Sequence, residues 1–259
     1  MLNMIYSAKG GHIGGDLSSI DIMAVLYLNY MNVSPERADD PDRDYFILSK
    51  GHSVEAYYAV LHEAGFLTDD QIMTLGCFGS SLMGHPNNKL NGIEINSGSL
   101  GHGLPVAVGI ALANKMDRRK GRTYVIMGDG ELAEGSVWEA AMAASNYGLD
   151  NLCLLIDRNG LQISGTTEDV MKQECLYERW RAFGWNVIEL SDGNDPEKIV
   201  EALEEAELSK GAPCVIIAHT VKGCGIPFME GKVQWHHKVP NEEEYNIALK
   251  CLHEQMERT

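Results

Sequence analysis

The sequence predicts an α/β fold built on a doubly wound, mostly parallel sheet, on three grounds. Residues 124–127 (YVIM), 152–156 (LCLLI) and 214–218 (CVIIA) are short, continuous apolar runs, as strands buried on both faces require. Amphipathic helical stretches alternate with these runs. Short loops of Gly, Asp or Asn join each strand to the helix that follows, which is the signature of right-handed βαβ units.

Taken in order, residues 20–30 have helical apolar spacing, 46–48 (FIL) form a weaker strand candidate, and 54–64 form a second helix. A third helix is expected over 104–116, before the YVIM strand, and a fourth over 135–147, after it. LCLLI is followed by a helical stretch at 170–183, then by a weaker strand at 185–190 (WNVIEL) and a helix at 196–209 that leads into CVIIA. A last helix, about 242–257, is expected to lie outside the main sheet. With no repeat and no Pro/Ser-rich linker, residues 1–259 are expected to form a single domain. Glycine-rich loops at 10–15, 98–103, 128–130 and 223–225 flank apolar elements, where open α/β sheets bind their ligands.

Composition narrows the function. The chain has 259 residues, 44% hydrophobic and 22% charged, which is ordinary for a globular protein. Its 21 basic and 37 acidic residues give a net charge of −16, which argues against nucleic acid as a partner. Six cysteines form no CxxC pair and several sit in apolar runs, as buried reduced thiols of a cytoplasmic protein would. No run approaches the ~20 apolar residues of a membrane span. The start, MLNMIYSAKGG, has neither a basic segment nor a long apolar stretch, so no secretory leader is expected.

The strongest chemical signal is YVIMGDGELAEG. A strand runs into Gly128-Asp129-Gly130 and a helix opens soon after, offering free N–H groups and a positive dipole end to phosphate. About thirty residues on, the next strand ends in LLIDRNGLQISG, which carries Asn159. Asp-Gly and Asn-Gly are also common turn pairs, and either alone would be read as a turn. At the ends of adjacent parallel strands, Asp129 and Asn159 can converge on one Mg²⁺ whose other positions are filled by phosphate oxygens and water.

GDG followed by an Asn-containing turn is the signature of thiamine-diphosphate enzymes, and the chain resembles transketolase in particular. The matching segments are AKGGHIGGDLSSIDIMAVLY, RDYFILSKGHSVEAYYAVL, MGHP, GSLGHGLPVAVGIALA and HTVKGCGIPFMEGKVQWHHKVP, which together span nearly all of Lys9 to about Pro240. The resemblance implies a thiamine-diphosphate-binding fold carrying only the diphosphate-binding domain. The pyrimidine-binding and C-terminal domains, with the family's catalytic glutamate, would belong to a separate C-terminal subunit, as in split transketolases. Thiamine diphosphate and Mg would be the cofactors. The activity would be transfer of a two-carbon ketol unit from a ketose, usually a sugar phosphate, to an aldose. A heterotetramer with two copies of each subunit is the implied assembly.

Site residues follow from the same resemblance. Asp129, Asn159 and the Leu161 carbonyl would bind the metal. His52, Gly101, His102, Gly128, Gly130, Glu131 and His236 would line the cofactor, Leu100 would touch its aminopyrimidine and Ile163 its thiazolium. His12 and His85 would contact substrate hydroxyls, with His12 and His236 as proton relays, since imidazole titrates near neutrality. Glu134 stands at the family's subunit interface. His102 replaces the family's usual Gln and His237 its Gly; His237 and His219 have no assigned role, and His62 and His253 are expected to be structural and unpartnered. The rival enzymes are deoxyxylulose-phosphate synthase and the alpha subunit of a 2-oxo acid dehydrogenase, both less consistent with the Gly-His-Pro loop and the Trp-His stretch. A non-catalytic cofactor-binding regulator is a rival of another class. A nicotinamide dehydrogenase is excluded because no GxGxxG loop is present.

Overall fold

A computed structural model describes residues 1–256. Five parallel strands form the central sheet: β1 (Tyr45–Leu48), β2 (Thr123–Gly128), β3 (Leu152–Arg158), β6 (Asn186–Leu190) and β7 (Cys214–His219). Their spatial order is β1-β2-β3-β7-β6, all pairs parallel. A two-stranded ribbon, β4 (Leu161–Gln162) with β5 (Gly165–Thr166), follows β3. The helices are α1 (Leu2–Ala8), α2 (Ile13–Val25), α3 (Val54–Glu63), α4 (Asp69–Ile72), α5 (Gly103–Met116), α6 (Gly135–Asn146), α7 (Thr167–Val170), α8 (Leu176–Ala182), α9 (Pro196–Glu207) and α10 (Glu242–Met256). Residue 257, the expected end of the last helix, lies outside the described residues.

The period-2 geometry of strands explains why both faces are apolar. Phe46, Leu48, Tyr124, Ile126, Leu155 and Ile216 point to one side, into a core shared with α2, α3 and α9. Their neighbours Ile47, Val125, Met127, Leu154, Ile156 and Val215 point to the other, against α5, α6 and α8. A third, smaller core joins α1, α10 and the segment holding Ile226, Met229 and Trp235, and Tyr6 stacks on Tyr245 at 4.1 Å between ring centres.

Two expected elements differ. The helix expected from residue 20 begins at Ile13, so Gly14 and Gly15 are helical rather than loop. They are glycines because the helix is crowded: a Cβ on Gly14 would lie 2.7 Å from the Trp235 carbonyl oxygen. Its C-terminal end continues as a π-turn, Leu26–Tyr30. The helix expected over 170–183 is split into α7 and α8. Glu168 accepts from the Gln173 backbone N–H (3.2 Å) and from Arg158 (2.9 Å), so a side chain takes a donor that helix continuation would need. The start of α9 follows local rules: Asp195 caps the Glu197 N–H at 3.0 Å, and Pro196 takes the first turn.

Candidate active site

Four strand C-termini meet at one cavity of about 260 Å³, lined by His12, Lys50, His52, Gly98, Leu100, Gly128, Asp129, Gly130, Glu131, Asn159, Leu161, Gln162, Ile163, Lys222 and His236. The in-register pairing of β2 with β3 sets Gly128 beside Asp157, which brings the Asp129 and Asn159 loops together. Asp129 accepts from Gly130 N (2.8 Å) and Gly160 N (2.7 Å), and Arg158 donates to it at 3.2 Å. One carboxylate thus ties both turns to a common point. Burial, with Asp157 nearby, raises the Asp129 pKa against the pull of those donors. Asn159 folds its side-chain oxygen onto the Leu161 N–H at 3.1 Å, and the Leu161 carbonyl accepts from Lys222 at 3.5 Å.

Beneath the cavity lies a buried ionic cluster. Lys50 pairs with Asp157, and it also donates to the Gly15 carbonyl at 2.9 Å. Ser18 (2.7 Å) and Thr220 donate to the same carboxylate. Burial alone would raise the Asp157 pKa; the Lys50 charge and these hydrogen bonds outweigh it and lower the pKa. Burial and the adjacent Lys50 charge lower the Lys222 pKa to about 8. Lys50 and Lys222 thus stand on the same lining as the carboxyls of Asp129 and Glu131, in a chain of net charge −16.

The histidines gather at the mouth. The His12 ring lies 5.2 Å from His52, 5.8 Å from His236 and 4.6 Å from His237. Burial, then neighbouring His237, His85 and lysine charges, lower His12 to about 4, and burial with Lys222 lowers His236 to about 3. His52 is lowered further by burial and Lys50. The expectation of imidazoles titrating near neutrality is therefore corrected: at neutral pH these rings are uncharged, each with a donor and an acceptor nitrogen.

Though far apart in sequence, the expected site residues converge with few exceptions. His85 is exposed and packs on Gly98 at the cavity lip, where a Cβ on Gly98 would come 2.7 Å from its ring. His102 is an exposed N-terminal flank of α5, away from the lining. Gly101 is buried behind the lining, its N–H donated to Glu131 at 2.7 Å. Glu131 itself spends its carboxylate on Ser49 (2.5 Å), Gly101 and Gly128 (3.3 Å), a clamp between three loops. Glu134 is exposed beside Gly101, outside the cavity. His62 is partnered after all, by Asp69 at 2.8 Å and Glu63 at 3.4 Å across the turn into α4. The sequence alone does not single out Lys50, Asp157, Gln162 or Lys222. The available signal for Lys50 and Lys222 is their position just past strand ends.

The donor set fits a hard cation carried by a phosphate ligand. Asp129, Asn159 and the Leu161 carbonyl offer only oxygens, and among the described residues no group of three His, Cys, Asp or Glu could hold a metal alone. His12 Nδ1, His236 Nδ1 and Gln162 Oε1 are buried on the lining without a partner, as groups awaiting a polar ligand would be.

These features define a diphosphate-binding α/β domain. The family described as "Transketolase, thiamine diphosphate binding domain" matches residues 1–252, and the chain belongs to it. It is 48% identical over 258 residues to a subunit of the apulose-4-phosphate transketolase of Phocaeicola vulgatus, covering 100% of this chain and 92% of that one. It is 41% identical over 240 residues to the 6-deoxy-6-sulfo-D-fructose transketolase subunit SqwG of Clostridium sp. strain MSTE9, covering 92% and 87%. Transketolase from Campylobacter jejuni superposes with a TM-score of 0.92 at 32% identity, over 97% of this chain and 40% of that one. Transketolase from Leishmania mexicana gives 0.90 at 33%, over 96% and 39%. The chain thus spans about two-fifths of these solved transketolases. No helix of the described residues is long and apolar enough to cross a membrane.

Proposed function

We propose that this chain is the diphosphate-binding subunit of a two-chain transketolase that moves a ketol unit from a ketose, usually a sugar phosphate, to an aldose. The observation that carries this reading is the convergence of Asp129, Asn159 and the Leu161 carbonyl beside Lys222 at adjacent strand ends. Asp129, Asn159 and Leu161 would hold Mg²⁺, and Gly128, Gly130, His52 and Lys222 would surround the diphosphate. Bound thiamine diphosphate supplies the electron sink for carbon–carbon cleavage and transfer. Leu100 and Ile163 line the cavity where they would flank its rings; Ile163 is 67% exposed at the rim, an apolar surface that a ring would cover. His12, His85 and His236 would face the sugar, and the uncharged rings of His12 and His236 can donate to and accept from its hydroxyls.

A cavity of about 260 Å³ is small for the whole cofactor, since sites that enclose a ligand of that size run to roughly 300–1,000 Å³. The remainder would be closed by a partner chain carrying the pyrimidine-binding and C-terminal domains. Relatives named as subunits of a transketolase, matched over nearly their full length, support two chains rather than one. We take the assembly as two copies of each, this chain as one domain, and its setting as cytoplasmic, in keeping with six free cysteines. The test is activity of each purified chain and of the mixture. Ketol transfer should need both; robust transfer by this chain alone would refute the reading.

A further inference from the structure

Beside the His12 loop, two acids are shut away from water. Asp16, in the first turns of α2, is 0% exposed, and Glu55, at the start of α3, is 3% exposed. Asp16 Oδ1 accepts from the Ala56 N–H at 3.0 Å. Asp16 Oδ2 and Glu55 Oε2 are both buried and receive no hydrogen bond from any other group. The two carboxyl groups hydrogen-bond each other, and two buried carboxylates in contact cannot both stay ionised, so one proton is held between them. Glu55 also touches the cavity loop: a Cβ on Gly11 (φ 146°) would fall 3.2 Å from its carboxyl carbon and from Oε1, and the His12 backbone N–H supports its charge.

We propose that Asp16 and Glu55 share one proton, and that this carboxyl pair is a positioning device that fixes the Gly11–His12 turn, so that the sugar-binding pose of His12 depends on the proton. The inference rests on the transketolase reading for the role of His12, but the shared proton does not. Neither acid reaches the cavity: both are absent from its lining. They act through the loop.

The charges facing the pair are few. Lys50 and Lys222 lie on the cavity side, the Met1 amino group approaches from α1, and Tyr58 lies along α3. Lys50 is already engaged by Asp157. Burial and the mutual charge of the pair raise Asp16 well above the usual range, and burial raises Glu55 to about 7. Protons leave such a pair in steps that belong to both acids. Loss of the shared proton above neutrality sets two buried charges against each other beside Gly11.

The experiment compares wild type with Asp16→Asn and Glu55→Gln, each an amide that removes one charge and donates permanently. In the two-chain enzyme, the wild-type sugar KM should rise above neutral pH while kcat at saturation changes little. A displacement of one pH unit in the pair's titration between free and bound forms corresponds to about a tenfold change in KM. In Asp16→Asn the KM should stay flat across the same range. A wild-type and variant KM with the same pH dependence would overturn the positioning role. The melting temperature of this chain reads the proton independently of activity. A carboxyl whose folded-state pKa is raised destabilises the fold as pH climbs from its unfolded value of 4.5 through about 7. Relative to wild type, both variants should therefore gain stability progressively across that window. A constant difference across it would refute the shared proton, whether or not the chain proves to be a transketolase subunit. If Asp16→Asn does not fold, Glu55→Gln decides both arms.

Discussion

Lys50 and Asp157 form an ion pair closed to solvent on both sides, with side chains 2% and 0% exposed. The pair joins the end of β1 to the end of β3 beneath the cavity. Ser18 from α2 and Thr220 past β7 donate to the same carboxylate, so four elements meet at one buried charge. Such a charge is stable only while its partners remain.

Lys50→Met should therefore destabilise the chain by about 3–5 kcal/mol, because it leaves Asp157 buried without a counter-charge. The double variant Lys50→Met/Asp157→Leu should recover a large part of that loss. Urea unfolding of the three proteins measures it; additive losses in the double variant would show that the two groups are not coupled.

Asp129→Ala should lower Mg²⁺-dependent affinity for thiamine diphosphate by at least about a hundredfold, the upper end of what even indirect partners of a metal contribute. Titration calorimetry on the two-chain complex reads it, and EDTA should reproduce the loss in wild type. Equal affinities in all three conditions would remove Asp129 from the metal site.

Lys222 stands over the Leu161 carbonyl on the cavity wall and is itself 2% exposed. Lys222→Met should weaken diphosphate binding by about 1.5–3 kcal/mol, the range for a hydrogen bond to a charged group. The residual affinity should also depend less steeply on salt. An unchanged dissociation constant would mean that the lysine serves only the fold.

Glu131→Ala should loosen the cavity wall. It orphans the Gly101 and Gly128 N–H groups at about 1–3 kcal/mol each if no water replaces the carboxylate. A lower melting temperature accompanied by weaker cofactor binding is the expected pair of results. Lost stability with full affinity would restrict Glu131 to holding loops.

Glu134 is exposed beside Gly101, outside the cavity, and should matter to assembly rather than to metal binding. Glu134→Ala should weaken the two-chain assembly or slow turnover, with Mg²⁺ binding retained. Light scattering of the co-expressed chains tests the architecture: a stable, fully active one-to-one dimer would refute the heterotetramer.

The sequence by itself determined the sheet and which strand-end loops line the candidate site. Apolar runs such as YVIM and LCLLI must be buried on both faces, and the loops that end them carry Asp129 and Asn159; both facts are local, within a strand and its turn. Helix limits near Gly14 and at residues 171–175 were not local. Position 14 tolerates only glycine within its helix because the Trp235 backbone, far along the chain, leaves no room for a side chain, and the break before α8 depends on Glu168 reaching Gln173 and Arg158. Lys50, Asp157 and Lys222 sit in plain view at or just past strand ends, yet nothing in their own segments shows that one becomes a buried partner of another. Only the tertiary structure decided that, because charge pairing, burial and the suppressed protonation of His12 and His236 depend on which loops the parallel sheet brings to the same edge.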